Sequence, residues 1–218
     1  MLFKTDDYGE QWRAINGNLP GDDFTRCIRE DPVKPGMVYV GTETTLYVSF
    51  DDGVRWRELK GNGSVGKSSL PVVPIYDIAI KEDDMIVATH GRSFWILDDL
   101  SQLRQVPEIE GIDSPHILQP RNTIRITAPF RSRKVSEGKN YQLSLGAAVT
   151  YTEDKNTYGE VERSFLDAGQ NPPAGVLINY FLPEEINEEL SLTFLDQSGI
   201  VIVTYSNGVA ANSSSEEE

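Results

Sequence analysis

Short apolar segments alternate with turn residues along the first half of the chain. Each segment is rich in Val, Ile, Tyr and Phe, and Gly, Pro, Asn or Asp residues separate it from the next, which is the pattern of β-strands joined by tight turns. No stretch keeps a sustained 3.6-residue apolar period, so we expect few helices. The predicted strands are residues 24–29, 37–41, 46–50, 55–59, 75–80, 85–89, 94–97 and 103–106.

An eight-residue pattern occurs twice in this region. Residues 5–12 (TDDYGEQW) and 49–56 (SFDDGVRW) both follow S/T-x-D-x-G-x-x-W and start 44 residues apart. A third, degraded copy lies 47 residues after the second. It aligns Tyr47 with Phe94 and Asp51-Asp52 with Asp98-Asp99 but has lost the Gly and the Trp. Four short strands in each repeat of about 40–50 residues predict the blades of a β-propeller.

The residue types of this pattern predict a hairpin turn between the third and fourth strands of a blade. The Asp side chain can accept backbone N–H groups of a tight turn, and the Gly can take a positive φ that other residues resist. The Trp can then pack a large ring between neighbouring sheets. We therefore expect a structural role rather than a catalytic one. The residues concerned are Thr5, Asp7, Gly9, Trp12, Ser49, Asp51, Gly53 and Trp56.

This motif resembles the Asp-box, or BNR, repeat. Further similarity to the last blades of sortilin-like BNR propellers, a family of secreted proteins often labelled glycosyl hydrolase, extends over about residues 1–205. It rests on residues 28–32 (IREDP), 38–43 (VYVGTE), 87–99 (VATHGRSFWILDD), 120–123 (PRNT) and 169–175 (GQNPPAG). The resemblance implies a propeller followed by an immunoglobulin-like sandwich, in a secreted, periplasmic or cell-envelope protein. It implies no single activity, because sialidases, xyloglucanases, sorting receptors and assembly factors share the repeat.

The second half of the chain again has the pattern of an all-β domain. Three prolines and few strand signals over residues 101–122 favour a linker. Strands are predicted at residues 124–128, 141–145, 175–181, 190–195 and 199–205, with a hairpin turn at 196–199. The predicted organisation is propeller blades over 1–106, a linker over 107–123, a partial immunoglobulin-like sandwich over 124–206 and a disordered acidic tail over 207–218.

Composition excludes several classes of protein. The chain carries 20 Lys and Arg residues against 34 Asp and Glu, a formal net charge of −14, so it lacks the basic surface of a nucleic-acid binder. No apolar run approaches the length of a membrane span. The single cysteine, Cys27, cannot form an internal disulfide or a cysteine-based metal site, and we expect it to be a small buried apolar residue.

The repeats predict an incomplete propeller. A closed propeller needs about four to eight blades, whereas this chain has two full copies of the motif and one degraded copy, and Met1 falls inside the third strand of a blade. We therefore expect the chain to be a fragment of a longer protein whose remaining blades are its partners. The first residues have no signal-peptide pattern, so the expected secreted location follows from the resemblance alone.

One segment matches a nucleotide-binding motif. Residues 61–68 (GNGSVGKS) fit the phosphate-loop pattern G-x-x-x-x-G-K-S/T, which requires a helix to begin at the Lys. Pro71 and Pro74 follow closely and would stop such a helix. We therefore expect an inserted loop there, with no cofactor and no metal.

A candidate ligand site lies where loops of successive repeats meet. In a propeller, the loop after the second strand of a blade shares a face with the segment entering the first strand, so side chains there gather near the mouth of the central channel. The residues are Glu43, Tyr76, Asp77, His90 and Arg92. A His and an Arg beside carboxylates could bind an anionic or sugar-like ligand. In the alternative, Asp77, His90 and Arg92 form a buried structural network between blades.

Two functions remain open at the level of sequence. The first is a non-catalytic binding or scaffolding fragment of a secreted propeller protein, with a glycan or protein ligand at the channel face. The alternative is part of a glycoside hydrolase, sialidase-like or xyloglucanase-like. Such chemistry needs two carboxylates across a cleft, and in that case most catalytic residues would lie in blades outside this chain. No catalytic residue is predicted within it.

Overall fold

The chain folds as an all-β protein. The structure, a computed structural model, describes residues 1–59, 69–124, 134–144, 147–155, 161–166, 168–169, 175–183 and 189–207. Within these residues the strands form several small antiparallel sheets, none of them closed, together with one short α-helix and one 3-10 turn. Two compact units divide the chain. One comprises Met1–Glu110 and Leu118–Asn179, and the other the described residues of Gly111–Ile117 and Tyr180–Glu218.

Three of the sheets follow the three repeats. The first repeat sheet contains β1 (Phe3–Lys4) and β2 (Arg13–Ala14). The second repeat sheet has the order β3 (Thr25–Glu30), β4 (Val38–Thr42), β5 (Leu46–Ser49) and β6 (Arg57–Glu58). The third repeat sheet contains β7 (Ile75–Lys81), β8 (Asp84–Thr89) and β9 (Phe94–Leu97). The strands predicted over 24–59 and 75–97 are therefore confirmed, with shifts of one or two residues at their ends.

Strand pairing confirms the 44-residue repeat and corrects the alignment of the third copy. Phe3 pairs with Ala14 just as Tyr47 pairs with Glu58, so the first two copies share one register. In the second sheet Tyr47 lies opposite Val40, but in the third sheet Trp95, not Phe94, lies opposite Val87. The predicted equivalence of Tyr47 and Phe94 is therefore wrong by one residue, because the β8–β9 turn is one residue longer than the β4–β5 turn.

The two middle strands of the second repeat sheet, β4 and β5, are buried on both faces. Every residue of β4 is buried, and its side chains alternate between two hydrophobic clusters, as the two-residue period of a strand requires. Val38 and Val40 face a cluster shared with the first repeat sheet. Met37 and Tyr39 face a larger cluster shared with the third. The first cluster comprises Leu2, Ile15, Val38, Val40 and Trp56, and the larger one comprises Met37, Tyr39, Leu46, Val48, Leu70, Val73, Ile75, Ile78, Met85, Val87 and Leu100.

The strand predicted at residues 103–106 is wrong. After β9 the chain forms a short helix, α1 (Leu100–Leu103), and then a 3-10 turn at Val106–Glu108. Asp99 caps α1 by accepting a hydrogen bond from the backbone N–H of Ser101 at 3.1 Å. Helical spacing places Leu100 and Leu103 on the same side, where both pack against the larger hydrophobic cluster.

The second half contains more strand than the sequence predicts. β10 (His116–Ile117) lies inside the predicted linker and pairs with β14 (Tyr180–Phe181). β11 (Asn140–Ser144), β12 (Ala147–Lys155) and β13 (Val161–Phe165) form a three-stranded sheet, and β15 (Ser191–Leu195) pairs with β16 (Val201–Ser206).

Several strand predictions in this half have different outcomes. Those at 141–145, 190–195 and 199–205 are confirmed. Only Tyr180–Phe181 of the predicted strand 175–181 is extended, and most of 124–128 lies outside the described residues. β12 and β13 were missed because they carry several charged residues. The boundaries of the predicted domains remain predictions, as does the immunoglobulin-like topology. Among the described helices, none is long and apolar enough to cross a membrane.

Candidate functional site

Both complete copies of the eight-residue motif form loops with the same hydrogen bonds. In the first, the Thr5 hydroxyl donates to the Asp7 carboxylate at 2.8 Å and accepts from the backbone N–H of Gly9 at 2.8 Å. The same Asp7 oxygen accepts from the N–H of Gln11 at 2.9 Å. In the second loop the three corresponding distances, centred on Ser49 and Asp51, are 2.8, 2.9 and 2.8 Å. The predicted turn chemistry is confirmed for both loops.

These hydrogen bonds stabilise the ionised Asp side chains. The N–H of Gln11 is the main cause that lowers the pKa of Asp7, and the hydroxyl of Thr5 adds to it. Burial acts in the opposite direction on Asp51, but bonds from the N–H of Arg55 and the hydroxyl of Ser49 outweigh it and lower the pKa. Each carboxylate is therefore occupied in holding its own loop.

The two loops differ in what covers the Trp. Trp56 is 2% exposed, and its indole Nε1 donates to the carbonyl of Ile15 at 2.9 Å. Its backbone N–H and carbonyl are both bonded to the Asn18 side chain, at 2.7 and 3.0 Å. Trp12 is 61% exposed and donates to the carbonyl of Gly9 in its own loop. The preceding repeat supplies the cover of Trp56.

Two equivalent β-bulges bring the second and third repeats together. Arg26 is the extra residue where the β3–β4 register shifts between Thr25 and Cys27. Tyr76 is the extra residue where the β7–β8 register shifts between Ile75 and Asp77. A bulge re-aims the side chain that it carries. The Arg26 guanidinium carbon lies 4.6 Å from the centre of the Tyr76 ring, so the two bulged residues contact each other.

Four side chains form a continuous row around this contact, which we call the aromatic–arginine row. In addition to its contact with Tyr76, the Arg26 guanidinium carbon lies 4.9 Å from the centre of the Phe24 ring. The Tyr76 ring contacts the imidazole of His90 in a tilted arrangement, with 4.9 Å between ring centres and 36° between planes. Phe24, Tyr76 and His90 are exposed.

Glu43 anchors the row. Its carboxylate forms an ion pair with Arg26, and this hydrogen bond raises the pKa of the guanidinium. Its backbone N–H donates to both the carbonyl of Phe24 and the carboxylate of Asp23, each at 3.1 Å. The structure thus brings together three of the five predicted site residues: Glu43, Tyr76 and His90. Arg26 and Phe24 were missed because neither lies in a predicted loop.

Asp77 and Arg92 have other surroundings. Asp77 forms an ion pair with Arg29 of β3 and accepts a hydrogen bond from the N–H of Ile78 at 2.9 Å. Arg92 lies exposed in the β8–β9 turn, where its carbonyl accepts from the indole of Trp95 at 3.0 Å. Asp77, His90 and Arg92 are all exposed, so the alternative of a buried network formed by these three residues is wrong.

A different ionic network is buried. The Arg104 guanidinium Nε donates to both oxygens of Asp31, at 2.9 and 3.1 Å, and the Tyr39 hydroxyl donates to Asp31 at 3.0 Å. A further ion pair joins Arg104 to Asp83. Burial raises the pKa of Tyr39, and the Asp31 charge raises it further. These residues are far apart in sequence, and no local motif signals their contact. The network fastens the segment after α1 to the second repeat sheet.

The smaller unit contains a separate apolar cleft of about 450 Å³. Ile117, Tyr180, Leu182, Leu192 and Tyr205 supply most of its apolar lining, and His116 lies at its wall. It contains none of the five predicted site residues.

Two further predictions from the sequence concern a nucleotide site and a metal site. The phosphate-loop-like residues 61–68 lie outside the described residues. In the part of the chain that the structure describes, no group of three or more His, Cys, Asp or Glu side chains is arranged to hold a metal ion. Comparison of the chain with protein-family models, with curated proteins and with solved structures gave no match.

Proposed function

We propose that this chain is a run of consecutive Asp-box propeller blades that acts as a non-catalytic binding and scaffolding segment of a secreted or cell-envelope protein. The hydrogen bonds shared by the two Asp-box loops support the blade assignment, as does the second sheet packed between two others. In this proposal the strands after residue 124 belong to an immunoglobulin-like domain that follows the blades.

The observation that carries the binding proposal is the contact between Arg26 and Tyr76 across two repeats. It places exposed aromatic surface beside a guanidinium, an imidazole and a carboxylate, which are carried by two β-bulges and by the turns that follow β4 and β8. Binding sites combine apolar and aromatic surface with a few fixed polar groups. The ligand class that this combination fits is a sugar, either neutral or anionic. Its ring would lie on Tyr76 and its polar groups would contact His90 and Arg26.

Binding is favoured over hydrolysis because the carboxylates of the predicted site are already paired. Glu43 is bound to Arg26, and Asp77 to Arg29. A glycoside hydrolase needs one carboxyl group to donate a proton while a second acts from across the cleft. In that reaction both carboxyl groups must be free to meet the substrate, whereas the Glu43 and Asp77 carboxylates are each held by an arginine. This chain alone should therefore bind saccharides without cleaving them.

Isothermal titration calorimetry with a neutral probe, cellohexaose, and an acidic probe, N-acetylneuraminic acid, tests this proposal. We expect one of them to bind the wild-type chain and Tyr76→Ala to weaken that binding at least tenfold. Tyr141→Ala removes a more exposed tyrosine, from β11, and should leave the affinity unchanged. Reducing-end assays on the same mixtures should detect no cleavage. Binding of neither probe, or equal binding by the two variants, would reject the site.

A further inference from the structure

The ion pair between Arg26 and Glu43 uses only part of the hydrogen-bonding capacity of the two side chains. A guanidinium carries N–H donors at Nε, Nη1 and Nη2, and the bond between the two residues joins Nε of Arg26 to Oε2 of Glu43. Among the residues that the structure describes, none bonds to either Nη nitrogen of Arg26 or to Oε1 of Glu43. Both side chains are partly exposed, at 28% and 35%. A ligand can therefore reach donors and an acceptor beside the aromatic–arginine row.

These groups are held in place by their surroundings. The guanidinium carbon of Arg26 lies over the rings of both Phe24 and Tyr76, at 4.9 and 4.6 Å from their centres. The backbone N–H of Glu43 is bonded to the carbonyl of Phe24 and to the carboxylate of Asp23, which fixes the start of the Glu43 side chain. Because donors and acceptor are already ordered next to each other, a ligand that binds to them loses less conformational entropy in the protein.

The charges around the row are balanced. Glu43 neutralises the guanidinium charge of Arg26. Asp23, which is bonded to Glu43, and Arg92, two residues after His90, add one charge of each sign. The chain as a whole carries a formal net charge of −14, which repels an anion at long range. The electrostatics of the row and of the chain together therefore favour an uncharged ligand over an anionic one.

We propose that the row binds a neutral saccharide through two neighbouring hydroxyl groups. One hydroxyl accepts a hydrogen bond from an Nη of Arg26, and the next donates to Oε1 of Glu43, while the sugar ring lies on Tyr76. A hydroxyl both donates and accepts, so such a pair matches both partners, whereas a ligand carboxylate only accepts and would meet the Glu43 carboxylate as a like charge. For Glu43, which Arg26 holds through its other oxygen, this is a binding role and not an acid–base one. The inference rests on the proposed function and decides between the two ligand classes that it leaves open.

Isothermal titration calorimetry with two matched oligosaccharides tests this inference. Cellohexaose is neutral, and the β-1,4-linked hexamer of glucuronic acid has the same ring stereochemistry and ring hydroxyls but a carboxylate on every ring. At pH 8 and low ionic strength, we expect the wild-type chain to bind cellohexaose at least tenfold more tightly than the acidic hexamer. Equal or tighter binding of the acidic hexamer would overturn the inference and leave a saccharide site in place. Binding of neither hexamer would also overturn it, and the proposed function would then rest on N-acetylneuraminic acid alone.

Glu43→Gln tests whether the ion pair selects the neutral ligand. This variant keeps the size of the side chain and a carbonyl acceptor but leaves the Arg26 charge unpaired. Its preference for cellohexaose should therefore fall at least tenfold, chiefly because the acidic hexamer binds more tightly. Glu30→Gln makes the same change of charge at the exposed far end of β3 and is the matched control, whose preference should stay within twofold of the wild type. Equal shifts in the two variants would show that the net charge of the chain selects the ligand, which would overturn the inference.

Arg26→Gln tests the hydroxyl contact with the guanidinium. It removes the Nη donors and should weaken the binding of cellohexaose at least tenfold. Circular dichroism establishes that the variant is folded. If it unfolds, Arg26→Lys keeps the charge, removes the planar fork of donors and should also weaken the binding of cellohexaose. Unchanged affinity for cellohexaose in a folded Arg26 variant would overturn the proposed contact.

Discussion

The indole of Trp56 donates a hydrogen bond to the backbone carbonyl of Ile15, 41 residues earlier in the chain. This bond joins the eight-residue motif of one repeat to the end of the preceding repeat. Trp12, at the same position of the first loop, bonds to its own loop instead. The same motif therefore has a buried Trp in one copy and an exposed Trp in the other. Trp12 thus serves as an internal control for the stability that Trp56 contributes.

Removal of the covered Trp should cost far more than removal of the exposed one. Trp56→Ala leaves a cavity between the first and second repeat sheets and should lower the free energy of unfolding by about 3–5 kcal/mol. Trp12→Ala removes an exposed ring and should cost about 1 kcal/mol or less. Urea unfolding followed by circular dichroism measures both changes. Similar losses in the two variants would contradict the assigned packing.

A side chain added at Gly53 should destabilise the protein more than one added at Gly91, which has nearly the same backbone conformation. Gly53 has φ +82°, and an added Cβ would lie 2.7 Å from Cβ of Ile15. Gly91 has φ +85° with open space around it. Gly91→Ala therefore measures the conformational cost alone, about 1–2 kcal/mol, and Gly53→Ala should add the cost of a steric clash. Thermal unfolding measures both variants, and a Gly53→Ala effect no larger than that of Gly91→Ala would show that the close approach is absent.

Asp52→Asn should have a much smaller effect than Gly53→Val. Asp52 itself has φ 60°, but Asn tolerates this left-handed conformation well. The substitution weakens the partly exposed ion pairs with Lys4 and Arg13, which together contribute about 1 kcal/mol or less. Gly53→Val combines a branched side chain with a positive φ and the contact to Ile15. The same unfolding measurements compare these two variants, and equal effects would reject the turn assignment.

The buried Asp31 carboxylate should make stability depend on pH in the acidic range. Burial acts to raise its pKa, but the N–H groups of Lys34 and Val33, Arg104 and the Tyr39 hydroxyl together lower it below the ordinary value. A pKa lower in the folded state contributes stability above the unfolded value of about 3.9, and this stability is lost as pH falls through the folded value. The melting temperature of the wild type should therefore drop on acidification below about pH 4.

Asp31→Asn should be less stable at neutral pH and should lose the part of the acid dependence that comes from Asp31. Asp22→Asn, at an exposed position, is the control and should follow the wild-type curve. Parallel melting curves for Asp31→Asn and the wild type across the acidic range would show that Asp31 is not held as an ionised group.

Cys27 should react slowly with thiol reagents while the chain is folded. Burial is the main cause that raises the pKa of its thiol, so little thiolate is present at pH 8. Its sulfur also lies 3.7 Å from the carbonyl oxygen of Ile75, within the packed strands. Labelling with a disulfide reagent should be slow in buffer and fast in urea. Equal rates in the two conditions would place Cys27 at the surface.

The sequence predicted what short-range chemistry determines. The turns of the eight-residue motif depend on hydrogen bonds within seven residues, so the pattern around Asp7 and Asp51 was sufficient to find them. The helix at Leu100–Leu103 was missed because two apolar residues one turn apart are too short a signal, and its cap at Asp99 replaces a predicted hairpin. Because the β8–β9 turn is one residue longer than the β4–β5 turn, Trp95 takes the sheet position that the alignment assigned to Phe94.

The candidate site was predicted in part for a similar reason. Loop positions placed Glu43, Tyr76 and His90 near one another, because equivalent loops of stacked repeats share one end of the sheets. Arg26 reaches Tyr76 only because both occupy β-bulges, and a bulge is a change of register that the strand pattern does not show. The contact between Asp31 and Arg104 joins segments 73 residues apart, which no local pattern can indicate.

The packing of one repeat on the next underlies the blade assignment in the proposed function. Hydrogen–deuterium exchange of the three tryptophan indole N–H groups, followed by NMR, tests it most directly. We predict that the Trp56 signal, assigned by its loss in Trp56→Phe, exchanges at least a hundred times more slowly than that of Trp12 in dilute monomeric protein. Equal, fast exchange of both signals would show that the repeats are not packed as blades.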